Sequence, residues 1–221
     1  MGSVEAALEE LYPSQTWGEV RDLEDPHAAM PSDELAALAE ELATELVAAT
    51  FVKTGGDDEP CDFIYVLALG RTPCIIQARD HDVAPPAEWD DAPELERGGL
   101  APTRVVEEMY LRVVVSQRAR VAAVQQVVVT ATKSADGSNG WLIRESPRAG
   151  VYDAPLLKRM QKLVAILPAY DLLHVDFGEI AHAPPGFHAG AWKDLFGGEP
   201  SIANYLFYPQ PTTMITTSYI G

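Results

Sequence analysis

Two valine triplets, Val113-Val114-Val115 and Val127-Val128-Val129, constrain this 221-residue chain more than any other feature. Branching at Cβ stiffens a side chain and crowds a helix, whereas it suits the pleated surface of a sheet. Residues 110–117 and 121–132 therefore read as strands, and 103–109 as helical. One long helix over 103–126 is the alternative. The run Ser134-Ala135-Asp136-Gly137-Ser138-Asn139-Gly140 is dense in residues that favour turns. It predicts a hairpin near 124–146.

The rest of the chain supplies helices and at least one more hairpin. Over 33–50, Leu35, Leu38, Leu42, Leu46 and Ala49 make an apolar stripe at helical spacing, with Ser32 placed to cap it. Over 154–167, Leu156, Leu157, Met160, Leu163, Val164 and Leu167 do the same, with Asp153 and Pro155 at the start and Pro168 at the end. Residues 3–12 predict a short helix. The apolar runs 63–69 and 74–79 flank a turn, Gly70-Arg71-Thr72-Pro73, and predict a hairpin near 63–79 covered on both faces. Residues 172–177 and 212–220 are strand-like, the latter suited to a sheet edge in its own molecule or a neighbour's. The expected fold class is α+β: a mostly antiparallel sheet packed with helices near 33–50 and 154–167, in one domain over 1–221. A mobile acidic loop is expected near 80–102, and an irregular, aromatic-rich region over 183–221.

Charge narrows the possible partners. The chain has 33 acidic and 16 basic residues and a net charge of −17. Residues 1–50 hold −11, 51–100 hold −7, 101–170 hold +5 and 171–221 hold −4. A field of this sign argues against a nucleic-acid binder and against docking on an anionic membrane. No apolar run approaches the roughly 20 residues of a membrane span. The first residues lack the basic and apolar regions of a secretory leader, and Cys61 and Cys74 are too few for a disulfide framework. A hairpin would not set the two cysteines opposite each other, so no bridge is expected. These features predict a soluble, cytoplasmic protein. The acidic half and the basic middle can attract each other within one molecule or across a homo-oligomeric contact.

No nucleophile elbow, phosphate loop or dinucleotide fingerprint occurs in the sequence. The strongest functional expectation is an interaction or regulatory module, inhibitor-like or adaptor-like, without a cofactor, that engages a protein with a basic surface. Glu40, Glu41 and Glu45 on the first long helix and Asp90, Asp91 and Glu94 in the acidic loop are the candidate contact residues. The alternative is an enzyme, a hydrolase or oxygenase, using a divalent metal such as zinc at His174, Asp176 and His182. His174 and Asp176 share a face if they lie on a strand, and His182 follows in a loop, with Glu179 or His188 as a base for metal-bound water. Asp80-His81-Asp82 is a second polar knot, read as the solvated end of a strand. Arg112, Arg118, Arg120, Lys133, Arg144 and Arg148 form a basic stripe if their strands are neighbours. A structural subunit that donates its Thr-rich tail as a strand is the third reading.

Overall fold

Among the described residues, eight strands of the computed structural model join one sheet. The structure describes residues 4–17, 30–55, 61–70, 74–80, 83–95, 103–134, 140–148, 154–190, 198–207 and 217–220. The strands are β1 (Thr50–Lys53), β2 (Cys61–Leu69), β3 (Glu94–Leu95), β4 (Thr103–Ser116), β5 (Val121–Ser134), β6 (Trp141–Arg148), β7 (Leu173–Val175) and β8 (Thr217–Ile220). They lie in the order β1-β2-β4-β5-β6-β8, with β3 also beside β4 and β7 beside β5. The α-helices among the described residues are α1 (Val4–Leu11), α2 (Ser32–Leu46), α3 (Ile75–Asp80), α4 (Ala154–Ile166) and α5 (Ile202–Phe207). Among the described strands, only β7, parallel to β5, departs from antiparallel pairing. This is the α+β architecture that the pattern of residues predicts.

The valine triplets sit at the centre of the sheet. β4 and β5 pair from Thr103↔Ser134 to Val115↔Ala122, and the predicted hairpin between β5 and β6 is present, from Gln126↔Arg148 to Thr132↔Leu142. Residues 103–109 are strand, not helix, because β5 offers a continuous partner along their whole length. Alternation then sends the two sides of each strand into different cores. Phe63, Tyr65, Tyr110, Val114, Val127 and Val129 meet α1, α3 and α5 on one face. Ile64, Val66, Leu111, Val113 and Val115 meet α2 and α4 on the other.

The predicted hairpin near 63–79 does not form. Both edges of β2 are already taken, by β1 and by β4, so no place remains beside it for residues 74–79. That run folds instead as α3. Its first N–H, of Ile75, donates to the Glu108 carboxylate at 2.7 Å, and Ala78 N–H donates to the Cys74 carbonyl at 3.0 Å. Cys61 and Cys74 are both buried and unbridged. Gly70, at φ +154°, lies so close to Glu108 that a Cβ there would stand 2.8 Å from its Cγ.

The helix predicted over 33–50 stops at Leu46. Val47 adopts the left-handed conformation at φ 49°. Its N–H reaches the Thr44 carbonyl at 3.3 Å and the next N–H, of Ala48, reaches the Ala43 carbonyl at 3.1 Å. This pair of bonds ends helices at a position normally held by glycine. Valine gives no such stop signal in the sequence, and the freed residues pair with β2 as β1. A left-handed backbone is unfavourable for a β-branched residue, and Val47 is 88% exposed, so its side chain makes few compensating contacts. Val47→Gly should therefore raise unfolding stability by about 1 kcal/mol in urea titrations.

Candidate functional site

Charged side chains buried in a sheet core are the least expected feature of this fold. Arg112 on β4 and Glu145 on β6 are 2% and 1% exposed, and they face the side covered by α3. Glu145 accepts hydrogen bonds from both Tyr65 on β2 (3.1 and 3.2 Å) and Arg112 (2.8 Å), and it also pairs with Arg79 from α3. Arg112 Nε donates to the Gln125 side-chain oxygen at 2.9 Å, and its guanidinium lies 5.1 Å from the Phe63 ring centre. Arg79 completes its own fork on Asp80, at 2.5 and 2.7 Å. β2 and β6 lie three ladders apart, so contact between Tyr65 and Glu145 requires the sheet to curl over this face.

Two guanidinium groups and two carboxylates balance here, with acceptors facing the guanidinium groups and donors facing the carboxylates. Burial pushes the Tyr65 hydroxyl up to about 12, with Glu145 adding to the effect, so Tyr65 stays a donor. Burial works against the charged form of Arg79, but Asp80 and Glu145 outweigh it and raise its value. Beside this network, Tyr110 donates to Glu108 at 2.5 Å and is raised by burial, and burial also raises the Cys74 thiol. Every named charge is already answered by a neighbour within the protein, so the network fastens α3 to four strands.

The six acidic candidates do not form one surface. Glu40 and Glu45 are exposed on the outer face of α2, while Glu41 is half-buried and accepts from Tyr170 at 2.8 Å. Asp90, Asp91 and Glu94 belong to the opposite side of the sheet, where a 3-10 turn (Ala87–Asp91) packs Trp89 against Trp141. Of these, Asp90 pairs with Lys133 at 3.1 Å and Glu94 with Arg104 at 3.5 Å. Residues 83–95 of the predicted acidic loop are thus tied to β4 and β5. Asp80, where the loop is expected to start, is the last residue of α3, and His81, Asp82 and residues 96–102 lie outside the described set.

The predicted metal ligands do not gather as a set of three either. β7 ends at Val175, so strand alternation does not carry through to Asp176. Asp176 instead accepts from the Gly178 N–H at 2.7 Å, and His182 is exposed. Burial holds His174 below its ordinary value, against Asp176 and Glu179. Among the described residues, no three His, Cys, Asp or Glu side chains are gathered as metal ligands.

The basic stripe is dispersed in the same way. Arg112 is buried, Arg118 donates to the Tyr12 hydroxyl at 2.7 Å, and Arg120 forms a two-pronged pair with Glu34 at 2.6 and 2.8 Å. Of the late aromatics, Tyr205 and Phe207 close a core: Tyr205 meets Tyr12, Trp17 and Phe187 at ring-centre distances of 4.9, 5.1 and 5.3 Å. β8 lies on β6 of the same molecule. No helix among the described residues is long and apolar enough to cross a membrane. No protein-family model matches this sequence, and no characterised protein or solved structure is significantly similar to it.

Two measurements test the buried network. Glu145→Gln leaves two guanidinium groups without their shared carboxylate, and should cost about 3–5 kcal/mol in denaturant unfolding. The folded-state value of Tyr65 lies above the ordinary 10.0, so its neutral form contributes fully below pH 10 and progressively less as pH rises towards 12. The contribution lost is about 3 kcal/mol. The stability gap between the wild type and Tyr65→Phe should therefore shrink over that range.

Proposed function

We propose that this chain is a protein-interaction module whose contact surface is the outer face of α2, and that its partner presents a basic surface. The observation that carries this reading is a combination at one place. Asp33, Glu40 and Glu45 are exposed along α2, with Ala36, Ala37 and Thr44 also exposed between them. At the end of the same helix, the two most exposed large apolar side chains among the described residues, Val47 at 88% and Leu69 at 69%, lie at one end of the β1–β2 ladder, beyond the Leu67 N–H to Ala49 bond. Small residues allow close approach, the acids select a basic partner and set its register, and the apolar pair supplies area to desolvate.

The buried network is neutral and internally satisfied, and Asp90 of the turn and Glu94 of β3 are shared with Arg104 and Lys133. Reversal at α2 should hardly touch the fold, since surface substitutions of this kind change stability by about 0.5 kcal/mol or less.

A photo-crosslinking residue at Thr44 tests the reading. The expected result is a discrete adduct that weakens with added salt and disappears in the folded Glu40→Lys/Glu45→Lys variant. Adducts that are indifferent to both would remove α2 as the contact surface.

A further inference from the structure

The basic surface that α2 requires exists on this chain. α2 and α4 lie side by side over one face of the sheet, sharing a core of Leu35, Leu38, Leu42, Leu156, Leu163 and Leu167. They run in opposite directions. At one end, Arg120 joins Glu34, in the first turn of α2, to the carbonyl of Tyr170, just beyond α4. At the other, Arg159 in the first half of α4 donates to the Ala68 carbonyl near the end of β2, close to where α2 has finished. The outer face of α4 exposes Lys158, Gln161, Lys162 and Ala165. This layer of two helices is therefore acidic along one half and basic along the other.

We propose that the basic surface met by α2 is α4 of a second copy of this chain, so that the protein forms a two-fold dimer, helix layer against helix layer. The inference rests on the reading of α2 as a contact surface and names its partner. A two-fold axis parallel to the helices and lying between the layers sets each α2 over the partner copy's α4, with the two helices antiparallel. Position along the axis is kept, so Glu45 falls opposite Lys158 and Glu40 opposite Lys162, and the symmetry makes each pair twice. The net charge of −17 works against self-association, but the screening length at physiological ionic strength is about 8 Å, so the charges at the contact dominate. Two short helices per side make a small interface of the transient kind, with a dissociation constant in the micromolar range.

Sedimentation velocity with a charge-swapped pair tests the proposal. At about 100 μM, well above a micromolar constant, the wild type should sediment at twice the 24.0 kDa of one chain. The variant Glu40→Lys/Glu45→Lys carries basic charge on both helices, and Lys158→Glu/Lys162→Glu carries acidic charge on both. Each alone should be monomeric, with its dissociation constant raised at least about a hundredfold by like charges in contact. An equimolar mixture should regain the dimer, because every α2–α4 pairing is again between opposite charges. A monomeric wild type, a dimer that survives both reversals, or a mixture that stays monomeric overturns the proposal. If the wild type is monomeric while the Thr44 adduct still depends on Glu40 and Glu45, the contact surface stands and only its occupant is different.

Discussion

Glu145 accepts from two guanidinium groups and a tyrosine where solvent is almost excluded, and much of this fold is arranged around that meeting. An isolated carboxylate in such a place is strongly unfavourable, as is an isolated guanidinium. Together, with Gln125 and Asp80 taking the remaining donors, they become tolerable. The arrangement holds only if β2, β4, β5, β6 and α3 are all in position at once. A hydrophobic replacement of similar volume can match the stability of such a cluster, but not its geometric exclusiveness. A register slip on any one of the four strands would turn one member of the network to the wrong face.

Charge organises the exterior as well, on a longer scale. Among the described residues, the acidic first hundred and the basic stretch that follows are drawn together by Glu34 with Arg120, Asp90 with Lys133 and Arg104, and Glu94 with Arg104. These contacts are exposed or half-exposed, and each adds little stability by itself. They do tie the helix layer and the acidic turn to the central hairpin. The helix layer keeps an excess of each sign on its outer side, acidic on α2 and basic on α4.

Those parts of the fold that follow from local pattern could be read in the sequence: the strands around the valine triplets, the pairing of β5 with β6 and the stripes of α2 and α4. What escaped depended on distant neighbours. Residues 74–79 have the composition of a strand, but α3 forms because β2 has no free edge and Glu108 meets its first N–H. Val47 ends α2 in a conformation that its side chain disfavours, so nothing local announces it. The buried network was hidden because its members are scattered from Tyr65 to Glu145. A signal did exist: Arg112 stands beside the first valine triplet, and register places it on an inward face. The same alternation does not reach Asp176, because β7 ends at Val175; Asp176 and Glu179 act on His174 from beyond the strand.

The spacing of contacts along the chain also orders how the molecule assembles. β4 and β5 are joined through residues 117–120, and their long ladder closes with almost no loop entropy. By contrast, the Tyr12 hydroxyl bonds to the Tyr205 carbonyl across 193 residues of chain. Local pairing precedes such distant closure in most small folds. The central ladder is thus the natural nucleus, and the aromatic knot of Tyr12, Trp17, Phe187 and Tyr205 is the late clasp. A clasp formed last is also the first to loosen, so amide exchange should begin there while the valine ladder remains shut.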